Sequence, residues 1–206
     1  MARNTWDEYY LCNPEPWGKD PDDIVRMAAH NRPQRVLDVG GGDGRHAMYL
    51  ARTGSQVTVI DKSTVALEYL KRRAEQEHLD ITTKCQRLQD SPLSGTYDLV
   101  IATSVLHFLK EPATVIARMQ RATFPGGTHA LEAFCTQNTQ DMPHLFTLEE
   151  VAALYDGWNI KKLCENTGPL HRHGRGPLHR HAGITLIAQK PKLLSFSDEQ
   201  YGHEAK

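Results

Sequence analysis

The chain of 206 residues is expected to fold as an α/β domain, a mostly parallel sheet with helices on both faces that ends in an antiparallel hairpin. Three observations predict this. Apolar, β-branched runs alternate with helical patterns from residue 34 to residue 155, the pattern of a parallel sheet wound by crossovers. A glycine run, Gly40-Gly41-Gly42-Asp43-Gly44, stands at the first strand-to-helix junction. The last two strands are separated only by a Gly-, Pro- and His-rich stretch, so they pair as a hairpin rather than through a crossover helix.

The elements follow in order. Residues 1–19 read as irregular, rich in aromatic, Pro and Gly residues. Asp20-Pro21 reads as the N-cap and first residue of a helix to about His30, ended by Asn31-Arg32-Pro33. Arg35–Val39 is an apolar strand, and the helix after the glycines sets Ala47, Leu50 and Ala51 on one face, with Gly54 past its end. Gln56–Ile60 is a β-branched strand ending at Asp61, and Ser63 caps a helix through about Glu77. Ile81–Cys85 and Tyr97–Thr103 are further strands. Pro112 starts a helix stopped by Pro125-Gly126-Gly127, and Thr128–Phe134 is a fifth strand. Thr147 and Glu150 form a capping box for a helix to Tyr155. Trp158–Cys164 and Ile184–Gln189 are the last strands. The division is one domain over residues 1–206: an arm and helix (1–32), a core (33–190) and a polar, mobile tail (191–206).

Composition narrows the function classes. Hydrophobic residues make up 39% of the chain, enough for a sizeable core. The net charge of −1 leaves no footprint for nucleic acid or an anionic membrane. The four cysteines are dispersed and form no C-x-x-C, which argues against a zinc ribbon, a redox dithiol or a disulfide framework. No apolar run approaches the length of a membrane span, and the N-terminal residues MARNTWDEYY carry no apolar leader. The expectation is a cytoplasmic, enzyme-sized domain, monomeric or homodimeric, with a small-molecule partner. One feature departs from the ordinary: of 11 histidines, His171, His173, His179 and His181 fall within eleven residues.

Glycines at a strand-to-helix junction let a ligand approach the backbone, and the helix start at Arg45-His46 offers free N–H groups. Asp61 lies 17 residues past Gly44, at the end of the next strand, where a carboxylate can accept two hydrogen bonds from a ribose diol. Gly40, Gly42, Gly44, Asp61 and the adjoining Lys62 are therefore candidate nucleoside contacts. A structural tight turn, with Asp61 capping the next helix, is the plain alternative. Gly42-x-Gly44-x-x-Ala47 also fits the looser dinucleotide fingerprint, which keeps an NAD-dependent oxidoreductase open. Asp38 favours another ligand. A carboxylate ahead of the glycines suits a cationic amine and crowds a pyrophosphate. S-adenosylmethionine carries a sulfonium and an α-amino group, so a methyl donor is preferred.

These motifs resemble those of class I S-adenosylmethionine-dependent methyltransferases over about residues 20–190. The matching pieces are Val36-Leu37-Asp38-Val39-Gly40-Gly41-Gly42-Asp43-Gly44, Val59-Ile60-Asp61, Tyr97-Asp98-Leu99-Val100-Ile101, Leu106-His107-Phe108-Leu109 and Pro125-Gly126-Gly127. More narrowly, the chain resembles the tellurite-resistance methyltransferase family. That resemblance rests on Ala102–Leu109, Met119–Gly127, Tyr155-Asp156-Gly157-Trp158 and Leu170-His171-Arg172. It implies a Rossmann-like, seven-stranded class I methyltransferase fold with S-adenosylmethionine as cofactor. It further implies a small acceptor, a chalcogen oxyanion (tellurite or selenite) or a thiol, with His171 and Arg172 at the acceptor site. Two departures stand out. Arg87 occupies the position where many class I enzymes bind adenine through Asp, so Asp90 or a backbone group takes that role. The hairpin tip is also richer in histidine than is usual for the family.

Gly-Pro-Leu-His-Arg-His occurs twice, at 168–173 and 176–181. A fold-back around Gly176 would set His171 opposite His181 and His173 opposite His179, with all four rings on one face. In the resembled topology this tip hangs over the methyl donor. Three readings stay open: a solvated polar tip, a clamp of His and Arg donors for an anionic acceptor, and a transition-metal site at His171, His173, His179 and His181. His107 and His129 are further candidates to line the site, His107 as a catalytic residue. Thr103 or Ser104 is placed at the methyl region, and Tyr9, Tyr10, Trp17 and the 136–146 loop as a lid or as packing for the arm. A soft nucleophile needs little base help, whereas an amine or hydroxyl acceptor, as in a small-molecule N- or O-methyltransferase, needs a general base such as neutral histidine. A non-catalytic or metal-binding protein on the same fold is the alternative of a different class.

Overall fold

A computed structural model describes residues 5–90, 92–171 and 179–192. Seven strands form one sheet in the order β3-β2-β1-β4-β5-β7-β6. They are β1 (Arg35–Val39), β2 (Gln56–Asp61), β3 (Ile81–Cys85), β4 (Tyr97–Thr103), β5 (Thr123–Phe134), β6 (Asn159–His171) and β7 (His179–Gln189). β1 to β5 pair in parallel, β7 runs antiparallel to β5, and β6 runs antiparallel to β7. The expected parallel sheet with a terminal hairpin is thus present.

Among the described residues, α1 (Thr5–Cys12) and α2 (Asp23–Ala28) precede β1, and α3 (Arg45–Arg52), α4 (Thr64–Gln76), α5 (Pro112–Arg121) and α6 (Leu148–Leu154) connect strands. Because side chains alternate across a strand, the buried strands feed two cores. Val36, Val59, Leu99 and Ile101 pack with Ile24, Ala47, Leu50, Leu67 and Leu70 of α2, α3 and α4. Leu37, Val39, Val100 and Ala102 pack on the other face with Val115, Ile116 and Met119 of α5, and with Val151 of α6.

Several boundaries differ from the sequence expectation. Within the arm expected to be irregular, α1 forms, and its docking explains why. Asp7 accepts from Ser63 Oγ at 2.7 Å and from the Val65 N–H at 3.2 Å, so the helix is held by the first turn of α4. α2 starts at Asp23, not at Asp20-Pro21, and Asp22 at its N-cap makes no side-chain cap bond. α5 ends at Arg121, ahead of Pro125-Gly126-Gly127, and those residues lie inside β5. Their register shifts there from Tyr97↔Thr123 to Leu99↔Thr128. Thr147 caps α6 by accepting from the Glu150 N–H, but the Glu150 carboxylate binds His144 at 2.8 Å instead of completing the capping box.

The hairpin strands extend well beyond the expected runs, and backbone pairing sets His171 opposite His179 and Leu170 opposite Arg180. This corrects the expected fold-back around Gly176, with its pairing of His171 to His181. The register is already set lower on the hairpin, where Asn166 pairs with Gly183 and Thr167 with Ala182. The tail expected at 191–206 is described only at Pro191 and Lys192. No described helix is long and apolar enough to cross a membrane.

Gly44, at the N-cap of α3, has φ +83°, and an added Cβ would strike the Leu70 side chain in the core. Gly44→Ala combines left-handed strain with overpacking. It is expected to destabilise the fold by about 2 kcal/mol, read as a lower urea midpoint at unchanged m.

Candidate functional site

The strand order reverses between β1 and β4, and the crevice beyond the carboxyl ends of the strands at such a point is where open α/β sheets bind ligands. A cavity of about 370 Å³ lies there. Gly40 and Gly41 form one wall, Asp61 and Lys62 another, and Gln86, Arg87, Leu88 and Gln89 close the end beyond β3. Thr103, Ser104 and Val105 line the side that follows β4. Trp6, Tyr10 and Trp17 from the N-terminal arm cover it. His107, Phe108, Phe134 and His181 form an aromatic end wall.

Asp61 is the best-organised acid of the site. Its Oδ2 accepts from the Gly42 N–H at 2.9 Å and its Oδ1 from the Ser63 N–H at 2.8 Å. Burial pushes its pKa up, and these backbone donors oppose the rise. One carboxylate thereby ties the glycine loop to the start of α4 and still faces the cavity.

The predicted glycines divide in their roles. Gly40 lines the cavity at φ +71°, and a Cβ there would strike Val105. Gly42 contributes its N–H to Asp61 and packs under the Tyr10 hydroxyl. Gly44 faces Leu70 and does not line the cavity. Close packing of protein on protein, as much as ligand approach, therefore explains the glycines.

Asp38 is also placed differently from expectation. It is only 1% exposed and lies behind the glycine loop rather than on the cavity wall. A Cβ on Gly41 would come within 2.7 Å of its Oδ2, which has no hydrogen-bond partner among the described residues. Burial, with the charge of Asp61 adding to it against the opposing charges of His46 and Arg45, raises its pKa to about 6. A buried carboxylate without a partner favours positive charge in its neighbourhood.

Asp90 is a second correction. It is exposed, pairs with Arg87 at 3.4 Å and does not line the cavity. The residues that do line this end run from Gln86 to Gln89.

His107 is brought into the site. Its Nδ1 accepts from the Phe134 N–H at 3.2 Å, and its ring stacks on Phe134 with centroids 4.0 Å apart. Burial, then the neighbouring His181, lowers its pKa to about 4. A neutral imidazole that accepts at Nδ1 carries its proton on Nε2, so His107 offers a donor and not a base. His129 lies elsewhere. It is fully buried between Thr123 and Tyr155, with bonds of 2.6 and 2.7 Å, and burial lowers its pKa to about 3. It is a core residue.

The hairpin reaches the site at His181, whose ring lies 5.3 Å from Phe134. Arg172 and His173 lie outside the described residues, as do the side chains of His171 and His179. Among the described residues no group of three or more His, Cys, Asp or Glu is arranged to hold a metal. Of the suggested lid, Tyr10 and Trp17 line the cavity while Tyr9 stacks on Trp17 from outside. The 136–146 loop folds back on β5 through Cys135 and Phe146.

Sequence reasoning missed His46. It is 5% exposed and lines the cavity, with Nδ1 at 3.1 Å from Thr103 Oγ1 and Nε2 at 3.1 Å from Asp22 Oδ2. Asp22 also accepts from Arg45 at 2.7 Å. Trp6 on the roof was missed as well, because α1 was not anticipated.

Comparison with known proteins adds the following. The family model described as "Tellurite resistance protein TehB" matches residues 8–177. A curated relative from Haemophilus influenzae (strain 10810), named "Probable S-adenosyl-L-methionine-dependent methyltransferase TehB", is 30% identical over 158 residues. The match covers 73% of this chain and 54% of that protein. The chain therefore spans about half the length of that relative. The crystal structure of TehB from Haemophilus influenzae is similar, with a TM-score of 0.77 at 26% identity, covering 90% of this chain and 67% of the other. The N-methyltransferase NodS from Bradyrhizobium japonicum WM9, solved with S-adenosyl-L-homocysteine, shares the fold with a TM-score of 0.69 at 16% identity, over 90% of this chain and 97% of the other.

Proposed function

The chain belongs to the family of the tellurite resistance protein TehB, and on that premise we propose that its cavity binds S-adenosylmethionine and passes the methyl group to a small acceptor. The observation that carries this reading is Asp61, a carboxylate at the end of the second strand that faces the cavity while holding the glycine loop. It is the group a ribose diol needs. The unpartnered Asp38 oxygen fits the same ligand, because the methionine tail brings an ammonium. When bound, the cofactor supplies a methyl group already activated on a sulfonium.

The protein's part is to position and to exclude water. Asp61 and Lys62 hold the ribose side, and backbone groups of Leu88 and Gln89 meet the adenine. Gly40, Gly41 and Thr103 hold the methionine tail. Trp6, Tyr10 and Trp17 cover the cavity against solvent. Trp6, Phe108 and Phe134 make the acceptor end aromatic, and the neutral His107 adds one N–H donor. Such a wall suits a soft, polarisable nucleophile, so tellurite, selenite or a thiol is the acceptor class. His171, on the hairpin that brings His181 to this wall, and Arg172, the next residue in the sequence, are assigned to orient it.

Calorimetry with S-adenosylhomocysteine, paired with methyl-transfer assays on tellurite, selenite, dithiothreitol and catechol, tests the reading. Micromolar binding and methylated product from at least one soft acceptor are expected. His171→Ala should spare cofactor binding and cut turnover by roughly tenfold or more, the scale of a lost orienting hydrogen bond. Binding without product on any acceptor would instead favour a nucleoside-binding module without chemistry.

A further inference from the structure

Asp22, His46 and Thr103 come from three separate elements and form one hydrogen-bonded chain that ends on the cavity wall. Asp22 Oδ2 lies 3.1 Å from His46 Nε2, and His46 Nδ1 lies 3.1 Å from Thr103 Oγ1. Burial alone would raise the Asp22 pKa, but the hydrogen bond from His46 and the charge and hydrogen bond of Arg45 hold it below the usual carboxylate value. An ionised carboxylate can only accept. With a single ring proton, His46 presents it on Nε2 to that carboxylate, and Nδ1 is then the acceptor for the Thr103 hydroxyl proton. What remains on Thr103 Oγ1 is its pair of lone pairs, at a residue that lines the cavity.

We propose that His46 is a positioning residue that makes the Thr103 hydroxyl an obligatory hydrogen-bond acceptor for the α-ammonium of the bound cofactor's methionine tail. This rests on the cofactor reading above and deepens it. The surroundings match a zwitterionic tail. Thr103 lies two residues beyond Ile101, which pairs with Asp38 across the strands, so the Asp38 carboxylate is at the same end and on the same face. Glu132 of β5 pairs with Thr103, and its carboxylate accepts from the Thr185 hydroxyl at 3.3 Å. Arg45 lines the cavity next to His46, and its guanidinium, paired with Asp22 at 2.7 Å, adds positive charge to the neighbourhood of the tail's carboxylate. A neutral or cationic donor is welcome at Thr103, whereas a second acceptor is refused.

The test compares two ligands on the full chain by calorimetry. S-adenosylhomocysteine carries the amino-acid tail, and 5′-methylthioadenosine has the nucleoside and sulfur without it. His46→Leu is expected to weaken S-adenosylhomocysteine about tenfold and to leave 5′-methylthioadenosine within twofold. Thr103→Val, a near-isosteric change, should do the same and keeps the test open if His46→Leu disturbs folding. Thr103→Ser should restore binding, and the double variant should be no weaker than either single one. Equal weakening of both ligands, or no weakening of S-adenosylhomocysteine, overturns the proposal and leaves the cofactor reading standing. A wild-type protein that binds neither ligand overturns both.

Discussion

Asp61→Ala is expected to weaken S-adenosylhomocysteine binding by at least about a hundredfold. The carboxylate is the acceptor offered to the ribose diol, and hydrogen bonds to a charged acceptor contribute about 1.5–3 kcal/mol each. Two such bonds at about 1.4 kcal/mol per decade give the hundredfold figure. A further loss comes from the protein. Oδ2 holds the Gly42 N–H at 2.9 Å and Oδ1 the Ser63 N–H at 2.8 Å, so the alanine variant frees the glycine loop as well. Asp61→Asn separates the two contributions. It keeps one acceptor oxygen, and its amide places a donor against one of these N–H groups, so an intermediate loss is expected. Calorimetry measures both variants, with thermal melts to establish that they are folded. A change of threefold or less in Asp61→Ala would remove Asp61 from the cofactor site.

Asp61 was legible from the chain because every part of its argument is local: a β-branched strand, its last residue, and a glycine run one crossover earlier. His46 was not, because its role is defined by partners far away in sequence, Asp22 before it and Thr103 after it. The same contrast runs through the fold. β1, β2 and β4 announce themselves by buried apolar runs. α1 does not, because an isolated eight-residue helix is too short to persist alone, and the contacts that hold it come from Ser63 and Val65.

The tip-side halves of β6 and β7 carry Glu, Asn, Thr, Gly, Arg and His and give no apolar signal, and β6 is an edge strand. Two glycines of one motif shared a single expected role, yet Gly40 lines the cavity while Gly44 meets Leu70. Which neighbour a missing Cβ would strike is a property of packing, and spacing does not encode it. Asp90 failed for a related reason. The family resemblance offered it, or a backbone group, for the adenine, but it turns outward to Arg87.

Asp38→Asn should move binding and stability in opposite directions. In the ligand-free protein the folded-state pKa of Asp38 is raised from 3.8 to about 6. The folded state therefore holds this proton more tightly than the unfolded chain, and the stabilising contribution is complete below pH 3.8 and lost as pH rises through about 6. At 1.36 kcal/mol per unit, ionised Asp38 costs the fold about 3 kcal/mol at pH 7.5. An asparagine, uncharged at every pH, should recover much of that, seen as a higher urea midpoint at pH 7.5 and little change at pH 4.5. Ligand binding should respond with the other sign. The attraction between the Asp38 charge and a nearby ammonium, at an effective dielectric constant of about 20, contributes on the order of 2 kcal/mol. Asp38→Asn is thus expected to weaken S-adenosylhomocysteine about thirtyfold at pH 7.5 and to spare 5′-methylthioadenosine, which has no ammonium. Wild-type affinity should also fall as pH drops through about 6 and Asp38 takes up its proton, with a shallower slope in the variant. A variant that gains no stability while losing affinity for both ligands alike would show that Asp38 supports the glycine loop by packing, not by charge. The expected pattern would instead identify a carboxylate kept at a cost to the fold because a cation must be held in front of it.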